Sequence, residues 1–180
     1  MSTHLEIERK FIIEFPKSWF ALSELFDGLI DVKRISQTYL KSEEGEQAAR
    51  VRKTEQGLTG DTEIVYHYNQ KKPVESGVHE EKEYEISKKE YEDYLKDANP
   101  DKVAVEKTRF VFDFQDQVFE LDVFKGPLKG LAILELELKD KDQKIEMPPF
   151  LKVLEEVTKD KKFTNFSLAD KKLNKKMEEQ

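Results

Sequence analysis

Charged residues in this chain recur two apart, and each set tends to carry one sign. Glu6, Glu8 and Lys10 alternate in "EIERK", Arg50 and Arg52 flank a valine in "RVR", and Lys107 and Arg109 flank a threonine in "EKTR". Acidic sets follow the same spacing: Glu81, Glu83 and Glu85 in "EKEYE", Glu120 and Asp122 in "ELD", Glu135 and Glu137 in "ELE". In an extended strand, residues i and i+2 share a face, so each set points one way. Carboxylates are the donors that hard cations such as Mg²⁺ or Mn²⁺ accept. Paired arginines suit an anion that takes forked hydrogen bonds, phosphate above all. Together the two kinds of set specify a metal–polyphosphate complex.

The ordinary fate of such strands is a charged side in water and an apolar side in the core. Three features weigh against it here: the single-sign sets, the arginine pairs, and polar Gln37 and Tyr39 on the same kind of face. A sheet that closes on itself, with the charges in its lumen and its apolar face under helices, accounts for all of them. Like charges repel strongly in a low dielectric, so that lumen calls for cations beside the acidic wall and a polyanion beside the basic one.

Eight alternating segments supply such a sheet, at 5–13, 35–41, 48–54, 63–72, 79–87, 103–114, 117–124 and 131–139. Turn-forming residues at 43–46, 55–61, 74–77, 98–101, 115–117 and 125–130 separate several of them. Helical spacing predicts helices over 16–28, 87–99, 148–158 and 167–180, the last one polar. Ser87 followed by Glu90 is a capping-box signature for the second. The expected fold is therefore α+β: an eight-stranded antiparallel closed β-barrel, a tunnel with a charged lumen and helices packed outside.

The bulk numbers bound this further. With 180 residues the chain is expected to form a single domain over 1–180, at ~150 residues per domain. The absence of cysteine removes disulfides, thiolate metal sites and thiol nucleophiles. Lys and Arg total 31 against 38 Asp and Glu, a net charge of -7, which argues against a dedicated nucleic-acid binder. No stretch approaches the ~20 apolar residues of a membrane span, so no membrane association and a cytoplasmic location are expected. His4, His67 and His79 lack metal-ligand spacing, and the lone Trp19 reads as a helix anchor.

"EIERKF" resembles the ExExK signature of the CYTH superfamily, the triphosphate tunnel metalloenzymes. "SQTYL", "RVRK", "KEYEI", "VEKTRF", "FELDVFKG", "LELEL" and "EEVTKDKKFTN" resemble family segments in the family's order, over about residues 4–170. The resemblance implies that Glu6 and Glu8 bind metal, Mg²⁺ or Mn²⁺, with Glu83, Glu85, Asp122, Glu135 and Glu137. It implies that Lys10, Arg50, Arg52, Lys71, Lys107, Arg109 and Lys161 grip a triphosphate. Lys10 and Tyr39 take the catalytic positions, and Lys71 rather than Lys72 faces the lumen. Asn69 stands where threonine is frequent in the family, and Glu81 near a frequent arginine. The activity implied is metal-dependent hydrolysis of a small triphosphate, inorganic triphosphate being favoured because no nucleobase pocket is evident. A class IV adenylyl cyclase, a thiamine triphosphatase and a non-catalytic polyphosphate sensor remain open, as does a homodimer.

Overall fold

The structure is a computed structural model and describes residues 2–17, 19–42, 49–57, 62–75 and 78–172, with the backbone course alone for 2–6, 19–21, 72–73, 75 and 79. The expected turn at 43–46, residues 58–61 of the one at 55–61, residues 76–77 of the one at 74–77, and the end of the expected C-terminal helix, 173–180, lie outside the described residues.

Alternation becomes strand almost throughout. The strands are β1 (Ser2–Glu14), β2 (Leu29–Tyr39), β3 (Ala49–Gln56), β4 (Glu63–Glu75), β5 (Val78–Ile86), β6 (Val105–Phe114), β7 (Gln117–Phe124), β8 (Ala132–Leu138) and β9 (Lys152–Glu156). Among the described residues the named α-helices are α1 (Trp19–Asp27), α2 (Lys88–Tyr94) and α3 (Asn165–Leu168). The class is α+β, with one large antiparallel sheet.

Among the described residues the sheet has nine strands where eight were expected, in the order β5-β4-β3-β2-β6-β7-β8-β1-β9, with an additional pairing of β5 to β1. β1 carries that extra bond because of its length. One edge pairs with β8 over Ile7–Ile12; the other pairs first with β5 over Ser2–Ile7 and then with β9 over Phe11–Glu14. The ninth strand replaces the helix expected over 148–158. Its apolar residues have helical spacing, but all five of its residues are exposed, so no apolar stripe is buried. What the segment gains instead is pairing with an edge of β1 that β5 does not reach.

Local chemistry sets the joints. Ser87 caps α2 by accepting from Glu90 N at 3.2 Å, while its own N–H donates to the Glu90 carboxylate at 2.7 Å. Gln115 and Asp116 adopt φ of 53° and 58°, a left-handed pair that turns β6 into β7 with the twist a two-residue hairpin needs.

The apolar faces bury in two places. Phe11, Phe112, Phe119, Leu121, Leu134 and Leu136 form a core with Leu25 of α1. Val51, Ile86 and the Tyr66, Tyr68 and Tyr84 rings pack beneath Tyr91 and Tyr94, at the α2 end of the sheet. A third cluster lies on the opposite face of the sheet. Tyr39, Val105, Phe124 and Ile133 each follow or precede a charged or polar residue by two, and they pack with Leu128, Leu168 and Ala169. The charged face therefore runs into an apolar floor closed by the α3 segment. Among the described residues, no helix is long and apolar enough to cross a membrane.

Gly28 joins α1 to β2 at close quarters. Its carbonyl accepts from Asp113 N at 2.8 Å, and a methyl group on its Cα would collide with the Asp113 carbonyl oxygen. Gly28→Ala is expected to lower stability by about 1–3 kcal/mol in urea unfolding, the usual cost of overpacking. An unchanged midpoint would mean that this junction is not packed as described.

Candidate functional site

Register brings the sequence's charged sets onto one face. Lys10 stands opposite Glu135 and Glu8 opposite Glu137 across β1 and β8; Arg109 faces Asp122 across β6 and β7; Glu120 faces Glu135 across β7 and β8. On the other flank, Arg50 faces Asn69, and Asn69 and Lys71 face Glu83 and Glu81. This face lines a cavity of about 770 Å³. Of the residues expected to act, Glu8, Lys10, Arg50, Arg52, Lys71, Glu83, Lys107, Arg109, Glu135 and Glu137 line it.

The others are placed differently. The Glu6 side chain lies outside the described residues. Glu85 is exposed on β5 and Lys161 is exposed in a short turn, and neither lines the cavity. Asp122 is fully buried behind the cavity wall, a departure from the expectation that it meets a metal directly. Tyr39 sits in the apolar floor, its ring edge-on to Phe166 at 5.2 Å and its hydroxyl accepting from Arg50 Nη1 at 3.5 Å.

Ion pairs organise the wall. Arg109 donates to Asp122 through Nε at 2.6 Å and Nη2 at 2.7 Å, to Glu135 at 3.0 Å, and to Glu120. Burial alone would lower its pKa, but Asp122 and Glu120 outweigh that and raise it. Lys107 pairs with Asp122 and reaches Asn165 Oδ1 at 3.5 Å. There burial wins, and the ammonium's pKa falls below the usual lysine value despite Asp122. Lys10 Nζ lies 3.1 Å from both Glu8 and Glu135. Its pKa rises because the two carboxylates overcome burial, and Glu135 is in turn held well below the carboxylate range by Lys10 and Arg109, against burial. Arg52 donates to Glu83 at 3.0 Å, yet burial leaves its pKa lowered. Lys71 stands 3.9 Å from Glu8 and 4.0 Å from Glu81.

Several wall residues were given no site role from the sequence. Glu120 and Glu81 belong to the acidic sets above, and Asn69 was noted only for standing where threonine is frequent. Glu81 faces Arg50 at 3.9 Å and accepts from Asn69, so this acid neutralises basic residues of the wall. Asn165 arrives from the α3 turn, and no periodicity announces it.

The wall carries carboxylates, the donor type that a hard cation takes. Glu8 and Glu135 already converge on one positive centre, the Lys10 ammonium, with Glu137 opposite Glu8. Among the described residues no three carboxylates or imidazoles stand in one ligand shell, and Glu135 is shared between Lys10 and Arg109. The chemistry available is that of an anion held among cations, with carboxylates at hand for a divalent metal.

The site is thus a cavity lined by charges of both signs on one face of an antiparallel sheet. A model of the CYTH domain matches residues 4–163, and the chain belongs to that family. It is 46% identical over 68 residues to an inorganic triphosphatase of Nitrosomonas europaea, covering 36% of this chain and 44% of the relative. It is 35% identical over 89 residues to an inorganic triphosphatase of Acetivibrio thermocellus, covering 49% and 55%. The chain thus spans about half the length of the curated relatives it matches. The crystal structure of an inorganic triphosphatase superposes with a TM-score of 0.57 at 31% identity, over 91% of this chain and 97% of that one. A Hippeastrum protein, 18% identical with a TM-score of 0.53 over 75% and 80% of the two chains, shares the fold.

Asp122 is the test of the ion-pair wall. Asp122→Asn takes from Lys107 its buried counter-charge and from Arg109 one of three, and is expected to cost about 3–5 kcal/mol in denaturant unfolding without added metal. A loss below about 1 kcal/mol would mean that neither cation depends on it.

Proposed function

We propose that this protein hydrolyses inorganic triphosphate with the help of Mg²⁺ or Mn²⁺, the β1–β5 pairing joining the sheet into a tunnel around the substrate. One observation carries the reading: Lys10, Arg50, Arg52, Lys71, Lys107 and Arg109 all line one cavity together with Glu8, Glu135 and Glu137. The inorganic triphosphatase relatives support the substrate class.

Phosphoryl transfer asks a protein for positioning and charge neutralisation more than for covalent chemistry. Arg50 and Arg52 grip phosphoryl oxygens on one wall, and Lys107 and Arg109 on the next. Lys71 and Lys10 stand at the boundary of the basic and acidic walls, where they stabilise the charge of the departing diphosphate. Glu8, Glu135 and Glu137, with Glu6, would hold the metal; when bound, it supplies positive charge to the phosphoryl oxygens and raises the acidity of water. Asp122 acts behind the wall, fixing Lys107 and Arg109 so that neither reorients as the substrate charge shifts. Tyr39 positions Arg50 through its hydroxyl.

The test supplies purified protein with triphosphate, ATP or thiamine triphosphate, each with Mg²⁺ or Mn²⁺, and assays phosphate, diphosphate and cyclic AMP. Triphosphate is expected to yield phosphate and diphosphate, and a chelator to stop the reaction. Glu8→Gln should lower kcat by about 100-fold or more while circular dichroism stays unchanged. Triphosphate binding without turnover of any substrate would make the cavity a sensor, and cyclic AMP from ATP would make the protein a cyclase.

A further inference from the structure

Gln37 is 2% exposed, yet it lines the charged cavity, and its Nε2 has no hydrogen-bond partner among the described residues. Buried amide donors are nearly always paired, because an unmade bond forfeits the hydration the group had in the unfolded chain. Two more buried donors on the same wall are in the same condition: Nε of Arg50 and Nε of Arg52. The three are neighbours. Gln37 stands directly across from Arg52 in the β2–β3 ladder, and Arg50 lies two residues before Arg52 on the same face. On its other side Gln37 faces Val105, and its same-face successor is Tyr39. Both belong to the apolar floor. Gln37 therefore sits where the charged wall meets the closed end of the cavity.

We propose that Gln37 is a substrate-contacting residue, its Nε2 donating to an oxygen of the phosphoryl group that lies deepest in the cavity, beside Arg50 and Arg52. The proposal rests on the triphosphate reading of the site. Phosphoryl oxygens accept several hydrogen bonds at once, and the guanidiniums already provide the charge. A neutral amide adds a directed donor at the floor without adding to the repulsion among Arg50, Arg52 and Lys107. A glutamine kept for structure alone would spend its amide inside the fold; this one spends none of its donors there, so replacing it with an apolar isostere costs the fold little.

That difference separates the two roles by measurement. Calorimetric titration of inorganic triphosphate with a metal chelator present, where the proposed hydrolysis stops, is compared for the unmodified protein, Gln37→Leu and Gln37→Glu, alongside their thermal melts. The proposal expects Gln37→Leu to keep or raise Tm while its affinity falls about tenfold. Gln37→Glu, which accepts but cannot donate and repels the ligand, falls further. Affinity of Gln37→Leu within twofold of the unmodified protein overturns the proposal, as does a loss of Tm that matches the loss of affinity. If Gln37→Leu fails to fold, Gln37→Met makes the same comparison. Absence of triphosphate binding by the unmodified protein would instead overturn the reading of the cavity itself.

Discussion

Opposite charges meeting across a curved sheet are the constraint on which the other features of this protein depend. Burying a charge without a partner costs several kcal/mol, so a sheet face lined with carboxylates and guanidiniums is tolerable only if each finds its opposite. The pairs here often skip a strand: Arg109 on β6 reaches Glu135 on β8, Arg52 on β3 reaches Glu83 on β5, and Lys71 on β4 reaches Glu8 on β1. Strands two apart lie roughly 9–10 Å from each other in a flat sheet, so a concave charged face shortens the reach that such contacts need. Curvature and charge pairing are thus one arrangement. A polyphosphate with a divalent cation would enter it by exchanging partners, its oxygens taking the cations and the metal taking the carboxylates.

The apolar residues enforce the curvature from both sides. Behind the charged face, Phe112, Phe119, Leu121 and Leu134 bury against α1, while a run of tyrosines buries beneath α2. On the charged face itself, the alternation continues past the last charge into Tyr39, Val105, Phe124 and Ile133, which the α3 segment covers. The same strands therefore carry a polar wall and an apolar floor in sequence, and the boundary between them fixes how deep a ligand can go.

Much of this was legible in the amino-acid order. Eight strands and most of the residues that line the cavity followed from two-residue alternation, the short helices α1 and α2 from helical spacing, and the family from the ordered motifs. The misses have physical causes. Residues 152–156 carry helical spacing but form β9, since an unpaired stretch of β1 offered hydrogen bonds that no buried helical stripe could match. Glu85 and Asp122 share the alternation of their neighbours, yet one ends exposed and the other lies buried beneath Arg109. Alternation assigns a face but not a depth along it. Asn165 had no signal, because it comes from a turn brought under the sheet by tertiary packing.

By itself the sequence determined which side chains share a face and what sign they carry, because the pleat of a strand imposes period two wherever the strand forms. Only the tertiary structure decided which cation meets which carboxylate, that Tyr39 falls into the floor while Gln37 stays at its rim, and that β1 is shared by β8, β5 and β9. Those outcomes depend on register between strands far apart in the chain. Register is set by the packing of the whole sheet, which a local pattern of charges cannot specify.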